Sequence, residues 1–194
     1  QRQMCIRDSK EIVRAFDISL ILYAEHSFNV STFTARTITS SLSDLHGAIT
    51  GAIASLKGPL HGGANEAVMH MMKEIGKPEK AKAWIENALA KKKVIMGFGH
   101  RVYKSQDPRA GHLREGVEKL SHEKGEPEWY EILVAVMDAM KPYQRRGINV
   151  NVDFFAGVIY HLLGIPTDLF VHIFAVGRIP GWTIQVLEQY EHNI

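Results

Sequence analysis

Apolar residues recur at steps of three and four along most of the chain, the spacing that places them on one face of an α-helix. The longest such stretch predicts a single helix over residues 32–56, which Gly58 and Pro59 would end. Shorter stretches predict further helices over residues 65–75, 79–91, 128–140, 153–163, 167–176 and 183–190, and another that starts at 107–108. Only residues 94–96 and 148–150 could form strands, and both segments are short. The pattern therefore predicts an all-α fold.

The composition is that of an ordinary soluble globular protein, and it excludes several classes of function. Of the 194 residues, 45% are hydrophobic and 23% are charged, and a net charge of +2 is too small to indicate nucleic-acid binding. Judged from the sequence, no apolar run is long enough to cross a bilayer, and the start lacks a signal-peptide pattern. The ten histidines and the single cysteine, Cys5, show no metal-ligand spacing and allow no internal disulfide. We therefore expect a cytoplasmic protein without metal, nucleic-acid or membrane partners.

The segment GPLHGGANE places His61 between two predicted helices. Backbone N–H groups at the start of the second helix would favour a neutral imidazole over a charged one. A neutral histidine in this position can donate a hydrogen bond to a developing enolate oxygen. The alternative is a loop histidine that only caps or packs, and spacing alone favours this second interpretation.

The segment KVIMGFGHRVYKSQDPR combines glycines, His100 and positive charge. Val102 stands where a dinucleotide-binding fingerprint has its third glycine, so the segment is not such a motif. The glycines can instead bring the backbone close to a bulky ligand, and Arg101, Lys104 and Arg109 favour an anionic one. A solvated basic loop is the alternative.

Asp153 lies at the start of the predicted helix that follows NVNV. It can be a carboxylate that the helix dipole stabilises, which is commonplace, or a base at the edge of an apolar pocket. The residues by themselves leave both interpretations open. Gly177 and Arg178, between two apolar predicted helices, form another place where glycine and charge meet.

Taken in order, these motifs resemble the citrate synthase family. From about Lys10 to its end, the chain carries LYAEHSFNVSTFTAR, GPLHGGANE, IMGFGHRVYKSQDPR, NVDF, and FAVGRIPGW followed by LEQY, with family-like spacing. Several long motifs in one order are far more specific than any short pattern. The resemblance implies an all-α fold with a large and a small domain that close over the substrates. Residues 10–61 and 148–194 would belong to the large domain, and residues 62–147 would form the small one.

The resemblance also implies a reaction, the condensation of acetyl-CoA, oxaloacetate and water to citrate and CoA. Asp153 would remove the methyl proton of the thioester, His61 would hydrogen-bond its oxygen as the enolate forms, and His100 would protonate the oxaloacetate carbonyl. The oxaloacetate would be held by His26, Arg109 and Arg178. The coenzyme would be contacted by Val94, Ile95, Met96, Gly97, Phe98, Gly99 and Lys104. Coenzyme A is thus expected as part of a co-substrate, with no tightly bound cofactor.

Some expectations concern the extent of the chain. Residues 1–9 show no clear hydrophobic period and are expected to be a leader or an artefact outside the fold. Family members are usually much longer, so we expect the N-terminal part of the large domain to be missing here, and the full-length protein to be a homodimer. The alternative activity is that of a 2-methylcitrate synthase, which uses propionyl-CoA. The alternative of another class is a non-catalytic fragment or interaction module, because a helix without its packing partner exposes apolar surface.

Overall fold

The computed structural model describes residues 9–103 and 105–192, and over these residues the regular secondary structure is helical. The helices are α1 (Lys10–Tyr23), α2 (Val30–Ser40), α3 (Leu45–Leu56), α4 (Ala64–Ile75), α5 (Ala81–Ala90), α6 (Pro108–Glu123), α7 (Glu128–Gln144), α8 (Val152–Leu162) and α9 (Phe170–His192). Short 3-10 turns lead into α5 and α9 at Pro78–Lys80 and Thr167–Leu169. Extended pairing in the described part of the chain is limited to one antiparallel bridge between Phe98 and Val150. The prediction of an all-α fold is therefore confirmed.

Several helices begin with the capping chemistry that the sequence offers. A polar side chain accepts a backbone N–H in the first turn of α1, α2, α3, α6 and α8, from Ser9, Asn29, Asp44, Asp107 and Asn151 respectively. The predicted helix start at Asp107 and Pro108 is thereby confirmed. Ser9 is the first described residue, so the rest of the predicted leader, residues 1–8, lies outside the described part of the chain.

The prediction of one helix over residues 32–56 is wrong, because the structure has two helices here. The first, α2, ends at Ser40, and the second, α3, begins at Leu45. Between them Leu42 has a positive φ of 63°, which a continuous right-handed helix cannot contain. Both helices bury apolar residues in the same core, so the three-and-four spacing continues through the turn and conceals it.

The prediction of separate helices over residues 167–176 and 183–190 is also wrong. The single helix α9 covers most of both ranges and contains Pro180. Gly181 does not end this helix but allows close packing, since an added Cβ would lie 2.2 Å from the carbonyl oxygen of Ala24. A glycine that signals a helix end in sequence is here required by a tertiary contact.

The central element of the fold is α8, and nearly all of its side chains are buried. It packs against α1, α4 and α6, while α9 packs against α1, α2 and α3. Tyr23 at the end of α1 stacks on Phe174 of α9, with ring centroids 3.7 Å apart. Burial of such large rings contributes strongly to stability, and it brings the end of α1, the middle of α9 and the first turn of α8 together.

The segment Thr167–His192, which contains α9, is long and apolar enough by length and composition to cross a bilayer. The apolar spacing had indicated no such segment, because it divided α9 into two shorter helices. Half of its most apolar window is buried among the other helices, and Arg178 within it is 1% exposed. This burial favours a helix of the protein core over a membrane span.

Candidate active site

The structure brings together the side chains that the sequence singled out for catalysis and for oxaloacetate binding, which are His26, His61, His100, Arg109, Asp153 and Arg178. The positive charges of Arg109 and Arg178 lower the pKa of Asp153, and both charges also lower the pKa of His26. The charge of Arg178 lowers the pKa of His61 as well. His26 and His100 are in direct contact. Residues spread over most of the chain therefore form one charged cluster where α1, α8 and α9 meet.

Asp153 is a carboxylate with a raised pKa in the first turn of α8. Its N–H donates to the side-chain oxygen of Asn151 at 3.1 Å, and the Tyr23 hydroxyl donates to Asp153 Oδ1 at 2.7 Å. Burial raises the pKa of Asp153 to about 6, against the opposing effects of the Tyr23 hydrogen bond and the charge of Arg109. A carboxylate with a pKa this close to neutrality is suited to accept and release a proton.

His61 is held by Ser31 at the start of α2. The Ser31 N–H lies 3.3 Å from His61 Nε2, and the Ser31 hydroxyl oxygen lies 2.8 Å from the same atom. Trp182 of α9 donates its indole N–H to that oxygen at 3.1 Å. Burial, and after it the charge of Arg178, lower the pKa of His61 to about 4, so the ring is neutral at physiological pH. Because Nε2 accepts the Ser31 N–H, the single ring proton lies on Nδ1.

His26 and His100 face each other through their Nε2 atoms, which are 3.2 Å apart. The Nδ1 of His100 accepts the backbone N–H groups of Val102 and Tyr103, at 3.0 and 3.1 Å. A neutral His100 therefore carries its proton on Nε2 and can donate it. Burial, and then the charge of Arg109, lower the pKa of His26 to about 4. His26 is thus neutral and can accept that proton in a hydrogen bond.

Asp107 does more than cap α6, which is the only role that the sequence indicated. Its fully buried carboxylate accepts hydrogen bonds from Arg109 Nε at 3.0 Å and from Arg109 Nη2 at 2.8 Å. Its Oδ2 also accepts the N–H of Val152, the first residue of α8, at 3.2 Å. Asp107 therefore ties the Arg109 guanidinium to the start of the helix that carries Asp153. The DPR motif was visible in the sequence, but the contact with α8 depends on the tertiary structure.

Arg178 is buried in the middle of α9. Its Nε donates to the carbonyl oxygen of Tyr23, and its guanidinium carbon lies 5.0 Å from the centroid of the Phe174 ring. Its Nη1 is buried without a hydrogen-bond partner among the described residues. Burial, and then the charge of Arg109, lower the pKa of Arg178 to about 10, so it is still charged at neutral pH. A buried cation with an unpaired N–H group is costly by itself, and a bound anion compensates it.

The loop predicted to contact the coenzyme is fixed against the residues that precede α8. Gly97 and Gly99 have positive φ values of 82° and 84°, which favour glycine. Asn151 donates its backbone N–H to the Gly97 oxygen at 2.9 Å and its side-chain amide to the Gly99 oxygen at 3.0 Å. An added Cβ at Gly97 would lie 2.7 Å from the ring of Phe154, whereas nothing lies within 4 Å of one at Gly99. The backbone is therefore closely packed at Gly97 and open at Gly99.

The side chains of this loop have different environments. Val94 is 67% exposed, and Ile95 is buried in the core. The Phe98 ring packs edge-on against Phe154 at 4.9 Å between centroids. The possible strand at 94–96 does not form, and Met96 is half-buried against the core. Lys104, the remaining residue expected to contact the coenzyme, lies outside the described residues.

Cavities elsewhere in the molecule do not coincide with the charged cluster. A cavity of about 270 Å³ lies between α6 and α7, and one of about 260 Å³ lies between α1 and α6. None of the clustered histidine, arginine and aspartate side chains lines either of them. Over residues 9–103 and 105–192, no three His, Cys, Asp or Glu side chains lie together as metal ligands would. The chemistry of the cluster, and not cavity size, identifies the candidate site.

Known proteins are similar to this chain in both sequence and architecture. The family model described as "Citrate synthase, C-terminal domain" matches residues 2–194. The 2-methylcitrate synthase 2 of Corynebacterium glutamicum is 55% identical over 93% of this chain and 47% of its own length. Citrate synthase 2 of Bacillus subtilis is 51% identical over 93% of this chain and 48% of its own.

Solved structures of citrate synthases are also similar to the fold of this chain. The citrate synthase of Thermoplasma acidophilum, solved in a ternary complex with carboxymethyl coenzyme A and oxaloacetate, has a TM-score of 0.90 and 40% identity. The match covers 94% of this chain and 49% of that one. The citrate synthase of Thermotoga maritima has a TM-score of 0.85 at 39% identity, over 93% of this chain and 50% of that one. The chain thus spans about half the length of the relatives it matches.

Proposed function

The chain belongs to the citrate synthase family, and we propose that the protein carrying it condenses a short acyl-coenzyme A thioester with oxaloacetate. The observation that carries the proposal is the carboxylate of Asp153, whose pKa of about 6 suits a base, in a cluster with neutral His61 and cationic Arg178. The reaction needs a base for a weak carbon acid, a donor for an enolate oxygen and cations for a dianionic keto acid.

In the first step, Asp153 removes a proton from the carbon next to the thioester carbonyl. That carbon is a very weak acid, so a carboxylate alone cannot deprotonate it at a useful rate. The Nδ1–H of His61 donates a hydrogen bond to the thioester oxygen and stabilises the negative charge that develops there as the enolate forms. The Ser31 N–H, 3.3 Å from Nε2, supports this role because it keeps the ring proton on the nitrogen that donates.

In the second step, the enolate carbon attacks the keto carbon of oxaloacetate, and a carbon–carbon bond forms. His100 gives its Nε2 proton to the keto oxygen, which becomes a hydroxyl group, and His26 helps to hold the substrate. The proton that Asp153 accepted in the first step then returns through water, which restores neutral His100 and the Asp153 carboxylate. Arg109 and Arg178 bind the carboxylates, for which a planar guanidinium is well suited. Water then attacks the thioester carbonyl of the condensed product, and the carboxylate product and free CoA are released.

The coenzyme would lie along the loop that begins at Val94, with Lys104 contacting its phosphates. The exposed Val94 side chain and the open backbone at Gly99 support this part of the proposal. Asn151 also supports it, because the residue that caps α8 donates to the loop carbonyls and so couples the coenzyme site to Asp153. The relative from Thermoplasma acidophilum was solved with a coenzyme A analogue and oxaloacetate.

The assembly is part of the same proposal. Residues 62–147 would form the small domain that closes on residues 10–61 and 148–194, which excludes water until the new bond has formed. We propose a cytoplasmic homodimer, with α2 and α9 contributing to the interface. Apolar side chains on these helices are exposed, including Val30 at 61%, Phe33 at 57% and Ile184 at 63%. Exposed apolar groups of this kind are commonly covered by a partner.

Acetyl-CoA is the acyl donor that we propose, and propionyl-CoA is the second candidate. The relative at 55% identity is named a 2-methylcitrate synthase, which favours propionyl-CoA, and the one at 51% is named a citrate synthase. The two thioesters differ by one methylene group, which a pocket discriminates by about 1–3 kcal/mol, or about 10- to 200-fold. The kcat/KM ratio for the two thioesters decides between them: a ratio of about 10 or more in favour of acetyl-CoA supports citrate formation, and the reverse supports 2-methylcitrate formation.

The function is tested by following CoA thiol release from acetyl-CoA or propionyl-CoA, with and without oxaloacetate, by the full-length protein. We expect oxaloacetate-dependent release, and a loss of about 10³-fold or more in Asp153→Ala, which lacks the base. Asp138→Ala is the matched control, because this exposed carboxylate on α7 pairs with the neighbouring Lys141 at 2.7 Å. Wild-type turnover by Asp153→Ala would contradict the base assignment. No release with either thioester would contradict the activity and favour a non-catalytic interaction module.

A further inference from the structure

Asn65, the second residue of α4, has an unusual buried side chain. It is 0% exposed, and its amide nitrogen Nδ2 has no hydrogen-bond partner among the described residues. Its oxygen Oδ1, in contrast, accepts the Glu66 N–H at 2.7 Å, so the nitrogen points the other way. A buried donor without a partner costs about 1–3 kcal/mol, and such groups are rare enough in folded proteins to call for an explanation.

The backbone of Asn65 is pressed against α8. An added Cβ at Gly157 would lie 2.5 Å from the Asn65 carbonyl oxygen, so glycine is needed for α4 to approach α8 this closely. Gly157 lies four residues after Asp153, on the same face of α8. The contact therefore brings Asn65 next to the pair that Asp153 forms with the Tyr23 hydroxyl.

The Asn65 amide contributes to the electrostatic environment of the Tyr23 hydroxyl. Burial, and then the charge of Asp153, raise the pKa of Tyr23, while a hydrogen-bonding contribution from Asn65 opposes the rise. Such a contribution is that of a donor approaching the phenolic oxygen. Tyr23 has one proton to give, and it gives that proton to Asp153 Oδ1 at 2.7 Å.

We propose that Asn65 and Tyr23 are positioning residues for the base of the condensation, and the inference therefore rests on the proposed function. The Asn65 amide approaches the Tyr23 oxygen as a donor, which keeps the Tyr23 proton directed at Asp153 Oδ1. With Oδ1 engaged, Oδ2 accepts no hydrogen bond from residues 9–103 or 105–192 and is the oxygen that takes the substrate proton. The relay fixes both the orientation and the charge state of the carboxylate.

The test is the pH dependence of kcat/KM for the acyl thioester in the full-length protein, with Tyr23→Phe and Asn65→Leu made singly and together. Tyr23→Phe removes a donor that favours the charged carboxylate, so the acid limb should move upward by about one pH unit. The rate should therefore fall about twofold at pH 7 and about tenfold at pH 5, while KM for oxaloacetate should change less than about twofold. Asn65→Leu should act in the same direction, with a smaller effect.

The double variant shows whether Asn65 acts through Tyr23. In the Tyr23→Phe background, Asn65→Leu should cause no further shift of the acid limb, because the hydroxyl that it orients is gone. Additive shifts would contradict the relay. Asn65→Ala is the second variant if leucine does not fit against Gly157. Tyr160→Phe is the matched control, since its buried hydroxyl on α8 donates to Ser19 Oγ at 3.2 Å and should leave the profile unchanged.

The outcomes separate this inference from the proposed function. If Asp153→Ala abolishes turnover but Tyr23→Phe leaves the acid limb where it is, the base assignment stands and the relay is wrong. If Asp153→Ala keeps wild-type turnover, the base assignment is wrong and the relay falls with it. A Tyr160→Phe shift as large as that of Tyr23→Phe would also overturn the inference, because the effect would then be a general response to a lost buried hydroxyl.

Discussion

The carboxylate of Asp107 holds the guanidinium of Arg109 through two hydrogen bonds, at 3.0 Å to Nε and 2.8 Å to Nη2. Burial by itself would raise the pKa of Asp107, but the hydrogen bonds and the charge of Arg109 lower it below its usual range. The same carboxylate accepts the first N–H of α8 from Val152. The position of a proposed substrate-binding arginine and the start of α8 therefore depend on one buried side chain.

Asp107→Asn should destabilise the protein and weaken oxaloacetate binding. The amide keeps the shape of the carboxylate but leaves the guanidinium without its counter-charge, which typically costs about 3–5 kcal/mol for a buried pair. Urea unfolding should show this loss, and KM for oxaloacetate should rise about tenfold or more, since 1.4 kcal/mol is a factor of ten. Asp138→Asn is the control, because the same change at the exposed Lys141 pair should cost less than about 1 kcal/mol. Equal losses in the two variants would argue against the role of Asp107.

Arg178→Met should remove stabilisation by oxaloacetate without comparable damage to the unliganded protein. Arg178 Nη1 has no partner among the described residues, so a similar-sized apolar side chain removes a buried charge that the Tyr23 carbonyl and Asp153 offset only in part. A ligand present at about 100 times its Kd stabilises the wild-type fold by about 2.7 kcal/mol, measurable as a rise in Tm. Arg36→Met is the control, since Arg36 on α2 pairs with Glu188 of α9, and it should retain the rise. A rise of wild-type size in Arg178→Met would show that oxaloacetate binds elsewhere.

The rate should fall on the acid side at a higher pH than for an ordinary carboxylate. Burial raises the pKa of Asp153 to about 6, so below that pH the base is protonated and kcat/KM should drop about tenfold per pH unit. His26 and His61, with pKa values lowered to about 4, should not add a limb in this range. Initial rates from about pH 5 to 8 are sufficient to measure the acid limb that Asp153 causes. An acid limb near pH 4, where an exposed carboxyl titrates, would be inconsistent with the burial of Asp153.

Stability should depend on pH through two partly buried histidines, His26 and His61. His26 and His61 have folded-state pKa values of about 4, below the value of about 6.5 expected when unfolded. Their contribution is complete above about pH 6.5 and is lost as the pH falls towards 4, because the unfolded chain binds protons that the folded chain does not. Asp153, with its raised pKa, acts in the opposite direction between about pH 6 and 4, so two histidines outweigh one carboxyl.

A histidine variant separates these effects. His61→Gln cannot be protonated, so the difference in unfolding free energy between about pH 7 and 4.5 should be smaller than in the wild type. His70→Gln is the control, because this side chain on α4 is 59% exposed, and it should leave the difference unchanged. The same pH dependence in His61→Gln and the wild type would contradict the linkage.

Two glycine-to-alanine changes should alter the free energy of unfolding in opposite directions. At Gly181 an added Cβ would lie 2.2 Å from the backbone oxygen of Ala24, so Gly181→Ala should cost about 1–3 kcal/mol and displace the loop that carries His26. At Gly111, within α6, nothing lies within 4 Å of the added Cβ, so Gly111→Ala should stabilise the protein by about 0.5–1 kcal/mol. Thermal unfolding of both variants measures the difference. Destabilisation of similar size in both would mean that the close α1–α9 approach is not what selects Gly181.

Much of the helical architecture follows from local signals. The apolar spacing and the Asp-Pro pair predicted the start of α6, and side-chain caps mark the starts of other helices. Local signals failed where packing overrides them. Leu42 turns the chain in the middle of an unbroken apolar period, whereas Pro180 and Gly181 lie inside a continuous helix because α1 packs against it. Propensity and periodicity describe a segment in isolation and contain no information about its neighbours.

For the candidate site, too, some properties follow from the sequence and others only from the tertiary structure. The sequence by itself made His61, His100 and Asp153 candidates, and it did so through the resemblance of their motifs to the citrate synthase family, since spacing alone favoured a packing role for His61 and left the role of Asp153 open. Only the tertiary structure decided the protonation states and pKa values of these groups. The proton position on His61 depends on Ser31, and the charge of Asp153 depends on burial and on Tyr23, 130 residues away along the chain. A pKa or a tautomer is set by the dielectric and the donors around a group, and these exist only once distant helices have packed together.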